Sequence, residues 1–162
     1  MSVRFRPKAQ IIYENMKYLA VVEIPKGSNR RIHMSYDNTG FIDLGPIKDQ
    51  IPVNDGVMPV CYGYIDKTIN KQEKDNVDAI IFSNKSYDTG DTVLVEIIGM
   101  LTRDDGDNKL ITVDDSITIN NFSEIDSDEM KLIRQYFGYK SKINSIDSKE
   151  KAIKYLQNCM TN

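Results

Sequence analysis

Residues 73–78 read Glu-Lys-Asp-Asn-Val-Asp, three carboxylates within six positions, just ahead of the apolar run 79–82. A plain solvated loop has the same look, so any chemistry here depends on matching groups from distant parts of the chain. Two unit charges about 4 Å apart repel by roughly 4 kcal/mol at an effective dielectric near ~20. A cluster of carboxylates is therefore tolerable only where some stay protonated or cations sit between them. Oxygen ligands without His or Cys suit hard ions, Mg²⁺ first, with Mn²⁺ or Ca²⁺ as substitutes. Magnesium seldom binds to a protein cage alone; it keeps waters and shares phosphate oxygens with a substrate.

Spacing separates the acids. In extended chain, residues two apart face the same way, so Glu73 and Asp75 can share a side. Asp78 needs a turn near Asn76 to bring it round, which places Glu73 and Asp75 in a loop and Asp78 on the following strand. A rigid strand residue is the better candidate for a ligand bridging two metals. Glu23 is a further acid, at the end of the apolar segment Tyr-Leu-Ala-Val-Val-Glu-Ile. It suits either a site or a strand end turned to solvent.

The elements that must position these groups follow from pattern. Residues 18–24 are rich in strand formers and are stopped by Pro25-Lys26-Gly27-Ser28. Residues 30–36 alternate as a second strand, and Asp37-Asn38-Thr39-Gly40 makes a hairpin turn into 41–44. Pro46, Pro52 and Asn54-Asp55-Gly56 predict a loop or edge strand over 46–56. In 57–65, Gly63 between Tyr62 and Tyr64 marks a bulge or a close backbone approach. Strands are expected at 77–82, 92–100 and 109–113, with Asp88-Thr89-Gly90-Asp91 as a turn. The Asp105-Gly106 pair between apolar runs predicts a hairpin.

The last third changes period. Asp126-x-x-Glu129 has capping-box spacing, and Met130, Ile133, Tyr136 and Phe137 recur at helical intervals until Gly138. A second helix starts near Asp147-Ser148, with Ala152, Ile153, Leu156 and Met160 as its apolar face. The expected class is α+β: a mostly antiparallel, closed sheet followed by two covering helices.

The chain has 162 residues and a net charge of −3, the profile of one ordinary soluble domain spanning 1–162. No basic tail or basic-aromatic stripe speaks for nucleic acid as a partner. Two distant cysteines and a single histidine, His33, all but exclude structural zinc. The amino terminus lacks the apolar run of a signal peptide and no run approaches a membrane span, so a reducing, cytoplasmic setting without membrane contact is expected.

Several ordered motifs then resemble soluble inorganic pyrophosphatases, from Tyr18 to about Cys159. Val-Val-Glu-Ile-Pro-Lys-Gly-Ser at 21–28 is close to that family's first strand and turn, and Pro-Val-Cys-Tyr-Gly-Tyr-Ile at 59–65 looks like its Pro-x-Asn-Tyr-Gly segment. Residues 73–78 are similar to its Asp-Gly-Asp-Pro-x-Asp core. Gly99-Met-Leu-x-x-Asp104 with Asp107-Asn-Lys109 resembles its later strand and hairpin, and Tyr139-Lys140 its late Tyr-Lys pair. The resemblance implies metal ligation by Glu23, Glu73, Asp78, Asp104 and Asp107, with Asp75 as general base and Tyr62 at the site. Arg31, Lys109, Tyr139 and Lys140 would contact phosphate. It implies a twisted, closed β-barrel of the oligonucleotide-binding type, Mg²⁺-dependent hydrolysis of pyrophosphate to two phosphates, Mn²⁺ as a substitute ion, and a homo-oligomer, hexameric in compact members.

The departures are specific. Glu73 stands for an Asp, Lys74 and Asn76 for the core Gly and Pro, and Arg31 for a lysine. His33 lies where an acid is expected, and Gln50 where an arginine is. The hairpin at 104–107 is short, leaving Asp104 and Asp105 as alternative ligands. Two other readings follow: a divergent barrel that binds without turnover, and a hydrolase of another phosphoanhydride.

Overall fold

The computed structural model describes residues 16–161. The amino-terminal stretch read above for a signal sequence lies mostly outside them. Eight strands form: β1 (Tyr18–Ile24), β2 (Arg30–Met34), β3 (Phe41–Pro46), β4 (Cys61–Ile65), β5 (Asp78–Phe82), β6 (Thr92–Arg103), β7 (Lys109–Val113) and β8 (Ile143–Asp147). Among the described residues there are two α-helices, α1 (Ser127–Phe137), between β7 and β8, and α2 (Lys149–Cys159), after β8.

Five strands close on themselves. The order β1-β4-β5-β7-β6 returns to β1 because the first part of β6 pairs β1 (Val21 opposite Thr92) while its later part pairs β7 (Leu101 opposite Lys109). Twelve residues make β6 long enough to serve both neighbours and still give its last residues to β8. Only β5 and β7 run parallel; the other pairings are antiparallel. β2 and β3 form a separate hairpin, turned at Asn38 with φ 58°.

The period of two divides the apolar residues into two cores. Ala20, Val22, Cys61, Ala79, Ile81 and Leu110 pack together with Ala152, Ile153 and Leu156 of α2. The alternate residues Ile80, Phe82, Ile111 and Val113 pack with Ile133, Tyr136 and Phe137 of α1. Each such side chain, when fully buried, stabilises by roughly 1.5–3 kcal/mol. β5 and β7 therefore have apolar residues on both faces, which is why their runs are continuous rather than alternating. Gly63 faces the Val21 carbonyl: a Cβ there would lie 1.9 Å from that oxygen, so β4 can reach β1 only without one.

α1 starts where Asp126 accepts from the amides of Asp128 and Glu129 at 3.1 and 3.2 Å, and α2 where Ser148 accepts from Lys151. Three expectations are changed or narrowed in detail. The strand expected to reach Tyr36 stops at Met34, because Ser35 opens the hairpin turn. Residues 46–56, expected as a loop or an edge strand, take the loop form after Pro46 ends β3, with a 3₁₀ turn at Ile47–Asp49 and a tight turn at Val53–Gly56 in which Asn54 and Asp55 are left-handed, each with φ 56°. Met160 leaves the apolar face of α2: it follows the helix end and is exposed. Among the described residues no helix is long and apolar enough to cross a membrane.

Candidate active site

The outer face of β4, β5 and β7 is apolar where α1 covers it and polar at the edge that α1 leaves open. Asp78 begins β5 and Lys109 begins β7, and the parallel register sets them opposite each other. Tyr62 lies diagonally from Asp78 on β4, since Tyr62 pairs Ile80 and Tyr64 pairs Asp78. The three groups meet: the Lys109 ammonium donates to Asp78 Oδ2 at 2.6 Å, to the Tyr62 hydroxyl at 2.6 Å and to Asp107 Oδ2 at 3.0 Å.

Lys109 is buried, which alone would push its pKa down, but Asp78 and Asp107 outweigh that and hold it above its ordinary value. Burial raises the Asp107 carboxyl, with Asp78 adding to it against the pull of Lys109. Burial also lifts Tyr62 well above its ordinary value, with the Asp78 charge next, so the phenol stays a neutral donor. Its ring packs against Phe137 at 5.5 Å between centroids, which ties it to the end of α1.

The β6–β7 hairpin brings Asp107 in. Gly106 takes φ 76° and its amide donates to the Arg103 carbonyl at 3.0 Å, closing the turn. Arg103 then donates to the Asp107 carbonyl at 3.0 Å, to its Oδ2 at 3.1 Å and to the Phe137 carbonyl at 3.1 Å. Nothing local singled out Arg103; its partner Phe137 lies far along the chain. Asp105 pairs with Arg103 at 3.4 Å. Asp104 is exposed at the start of the hairpin, its amide bonded to the Lys142 carbonyl. Of the two alternatives, Asp105 is the one whose charge, with that of Asp107, acts on Glu73.

The 70–75 loop parts its two acids. Lys74, where the resembled motif has glycine, adopts φ 56°, a left-handed conformation that costs a side-chain-bearing residue about 1–2 kcal/mol. The chain is therefore turned rather than extended, and the shared side expected for Glu73 and Asp75 does not follow from a period of two. Glu73 is exposed, raised by partial burial and by Asp107 and Asp105. Asp75 instead meets His33 of β2, its Oδ2 2.8 Å from Nε2.

Glu23 is not turned to solvent. It is 2% exposed, with Oε2 accepting from the Met34 amide at 2.7 Å. Burial, then the Asp78 charge, raises its pKa to about 7. A buried carboxylate beside further acids is a place where positive charge is stabilising.

The phosphate candidates are spread more widely. Arg31 is half-buried on β2, near Tyr136, whose hydroxyl it holds down against burial. Tyr139 is exposed, and Lys140 donates to Gln50 Oε1, ninety residues away in sequence. Gln50 thus stands against the late lysine. A cleft of about 300 Å³ lined by Lys26, Met58, Pro59, Glu129 and Leu132 contains none of these acids.

The donor set suits a hard divalent cation: oxygen-only carboxylates, of which Glu23, Glu73 and Asp107 are all raised by crowding and burial. Asp78 and Asp107 already share positive charge through Lys109. Among the described residues no three such ligands converge without help.

The profile of the family described as inorganic pyrophosphatase matches residues 20–162. The inorganic pyrophosphatase of Helicobacter pylori is 23% identical over 167 aligned positions, covering 93% of each chain. That of Ureaplasma parvum is 28% identical over 129 positions, covering 75% of this chain and 68% of the relative. The crystal structure of the Ehrlichia chaffeensis inorganic pyrophosphatase superposes with a TM-score of 0.80 at 18% identity, covering 90% of this chain and 94% of that one. The closed ring, the order of its motifs and the profile match over nearly the whole length agree, and the chain belongs to the inorganic pyrophosphatase family.

Proposed function

We propose that this protein is a Mg²⁺-dependent inorganic diphosphatase, one domain over its full length, that hydrolyses pyrophosphate to two phosphates. The observation that carries the reading is the meeting of Tyr62, Asp78, Asp107 and Lys109 at one rim, with Glu23 buried beside them. Glu23, Glu73, Asp78 and Asp107, with Asp104 at the hairpin, would hold Mg²⁺, and Mn²⁺ can substitute. Bound there, the ion supplies a lowered pKa for water and neutralises phosphate charge.

The chain's own residues do the rest. Asp75 accepts the proton of the water that attacks one phosphorus in line, leaving the second phosphate as the departing group. Tyr62, neutral at ordinary pH, donates its hydroxyl hydrogen near the nucleophile. Lys109, Arg31, Tyr139 and Lys140 bind and neutralise the phosphate oxygens, and the guanidinium of Arg31 offers a two-pronged contact where a lysine offers one.

A second reading, a barrel that binds phosphate without turnover, draws on the engagement of Lys140 by Gln50. A panel of pyrophosphate, tripolyphosphate and a nucleoside triphosphate with Mg²⁺ separates these. The proposal expects phosphate release chiefly from pyrophosphate; release chiefly from another anhydride would change the substrate, and binding without release would favour the second reading.

The proposal includes a cytoplasmic homo-oligomer, a hexamer by family resemblance, with no membrane or nucleic-acid partner. Leu19 and Leu94, directly opposite each other on β1 and β6 and 40% and 57% exposed, support an interface. Sedimentation of the purified protein measures its mass.

A further inference from the structure

We propose that His33 is a positioning residue for Asp75, its imidazole fixing the direction in which that carboxylate presents itself to the attacking water. The proposal rests on the reading of Asp75 as the general base.

Both ring nitrogens of His33 face oxygen acceptors. Nε2 lies 2.8 Å from Asp75 Oδ2, and Nδ1 contacts the carbonyl of Met34. A carbonyl oxygen cannot donate, so Nδ1 carries a hydrogen, and that contact fixes the plane of the ring. With Asp75 as a carboxylate, Nε2 carries one too, and the ring is an imidazolium. The charge-assisted bond is of the stronger class.

Asp75 is held at both ends. Its Oδ1 accepts from the Asn76 amide at 2.8 Å, while Oδ2 takes the imidazolium. The amide contact comes from its own loop; the ring comes from β2, an element of the separate hairpin. Two bonds from independent elements define a plane for the carboxylate that the loop, with its left-handed Lys74, would not hold alone. The remaining lone pairs stay available for the water.

The surroundings favour the pairing. Glu23 adds a second negative charge near the ring, and the Tyr36 ring lies 5.8 Å from it. The Asp75 bond, against partial burial and with help from Glu23, raises the imidazole to about 9. An acid at position 33 would instead place a third carboxylate beside Glu23 and Asp75. The substitution of the expected acid by His33 reads as a change of the role at this position, not as its loss.

His33 is the single histidine of the chain, so its ring signals in a nitrogen-15 spectrum need no assignment. In the full-length protein at neutral pH, the proposal expects a low-field Nε2 proton resonance that disappears in Asp75→Ala. The same resonance in Asp75→Ala, or an unprotonated Nε2 in the wild type, would overturn it. In kinetics with saturating Mg²⁺, His33→Ala should lower kcat for pyrophosphate about ten- to hundredfold with little change in KM. His33→Gln, whose amide can donate to the same oxygen, should recover most of that loss, and His33→Ala should cost nothing further in an Asp75→Ala background. Equal kcat in wild type and His33→Ala would overturn the proposal. Full activity in Asp75→Ala would remove Asp75 as base, and the positioning role with it, while the spectrum still reports whether the pair exists.

Discussion

Two buried carboxylates at different places in this ring behave in opposite ways. Asp114, just past β7, is 3% exposed and Glu23, on β1, is 2% exposed. Asp114 accepts from the hydroxyls of Ser83, Tyr87 and Ser116 and from the Ser116 amide at 2.9 Å. These bonds outweigh burial and hold its pKa below the ordinary value. Glu23 has one backbone donor and negative neighbours, and its pKa rises to about 7. Both are nearly closed to solvent, but deep burial and the neighbouring Asp78 charge dominate at Glu23, whereas the donors around Asp114 outweigh its desolvation. Asp114 is a finished structural acid that ties β7 to the 83–87 turn; at Glu23 the nearby His33 charge and one backbone donor do not offset burial and Asp78.

The functional side of the contrast is tested most directly at the acid read as the general base. Asp75→Asn should lower kcat for pyrophosphate about 10²–10⁴-fold, the usual scale for losing a general base, with the thermal midpoint nearly unchanged. Steady-state kinetics and a melting curve on the same preparation check both halves.

A pH titration of stability sharpens it next. The folded pKa of Glu23, about 7, stands above the ordinary value of 4.5. The native state therefore binds the proton more tightly, so the stability due to Glu23 is full below pH 4.5 and is lost as pH rises through about 7. At about 1.36 kcal/mol per pH unit, that is of order 3 kcal/mol. Urea unfolding of metal-free protein across this window should show the loss, and Glu23→Gln should flatten it while lowering activity.

Asp114→Asn is expected to do the reverse. One oxygen of its cage becomes a donor facing hydroxyls and an amide, which costs about 1–3 kcal/mol, with kcat per folded molecule unchanged. The smallest effect belongs to Lys74→Gly. Relief of the left-handed conformation, about 1–2 kcal/mol, is offset by the ~0.5–1 kcal/mol of chain entropy that glycine loses on folding. A net gain of about 0.5–1 kcal/mol in urea unfolding is expected.

The sequence made much of the frame legible for local reasons. β1 is a run of strand formers stopped by Pro25, and β7 is bounded by the Asp-Gly turn that precedes it. Gly63 between tyrosines marked a contact that only a missing Cβ allows. β8 escaped notice because Asn144, Ser145 and Asp147 give it no apolar alternation; it exists through its pairing with the edge of β6. The site was readable as a set of acids, not as a set of pairs. His33 with Asp75, Arg103 with Phe137, and Gln50 with Lys140 join elements distant in sequence, so no local pattern announces them. Lys109, expected as a phosphate contact, also bonds two carboxylates: Asp78 through the parallel register of β5 and β7, and Asp107 through the hairpin that precedes β7.

The central claim is that the acids at this rim form a working diphosphatase. Phosphate release from pyrophosphate by wild type and Asp75→Asn, measured side by side while Mg²⁺ is titrated, tests it most directly. The account predicts release by wild type that rises from background with Mg²⁺ and saturates, and near-background release by Asp75→Asn at every concentration. No release by wild type at millimolar Mg²⁺, or equal release by the two proteins, would contradict it.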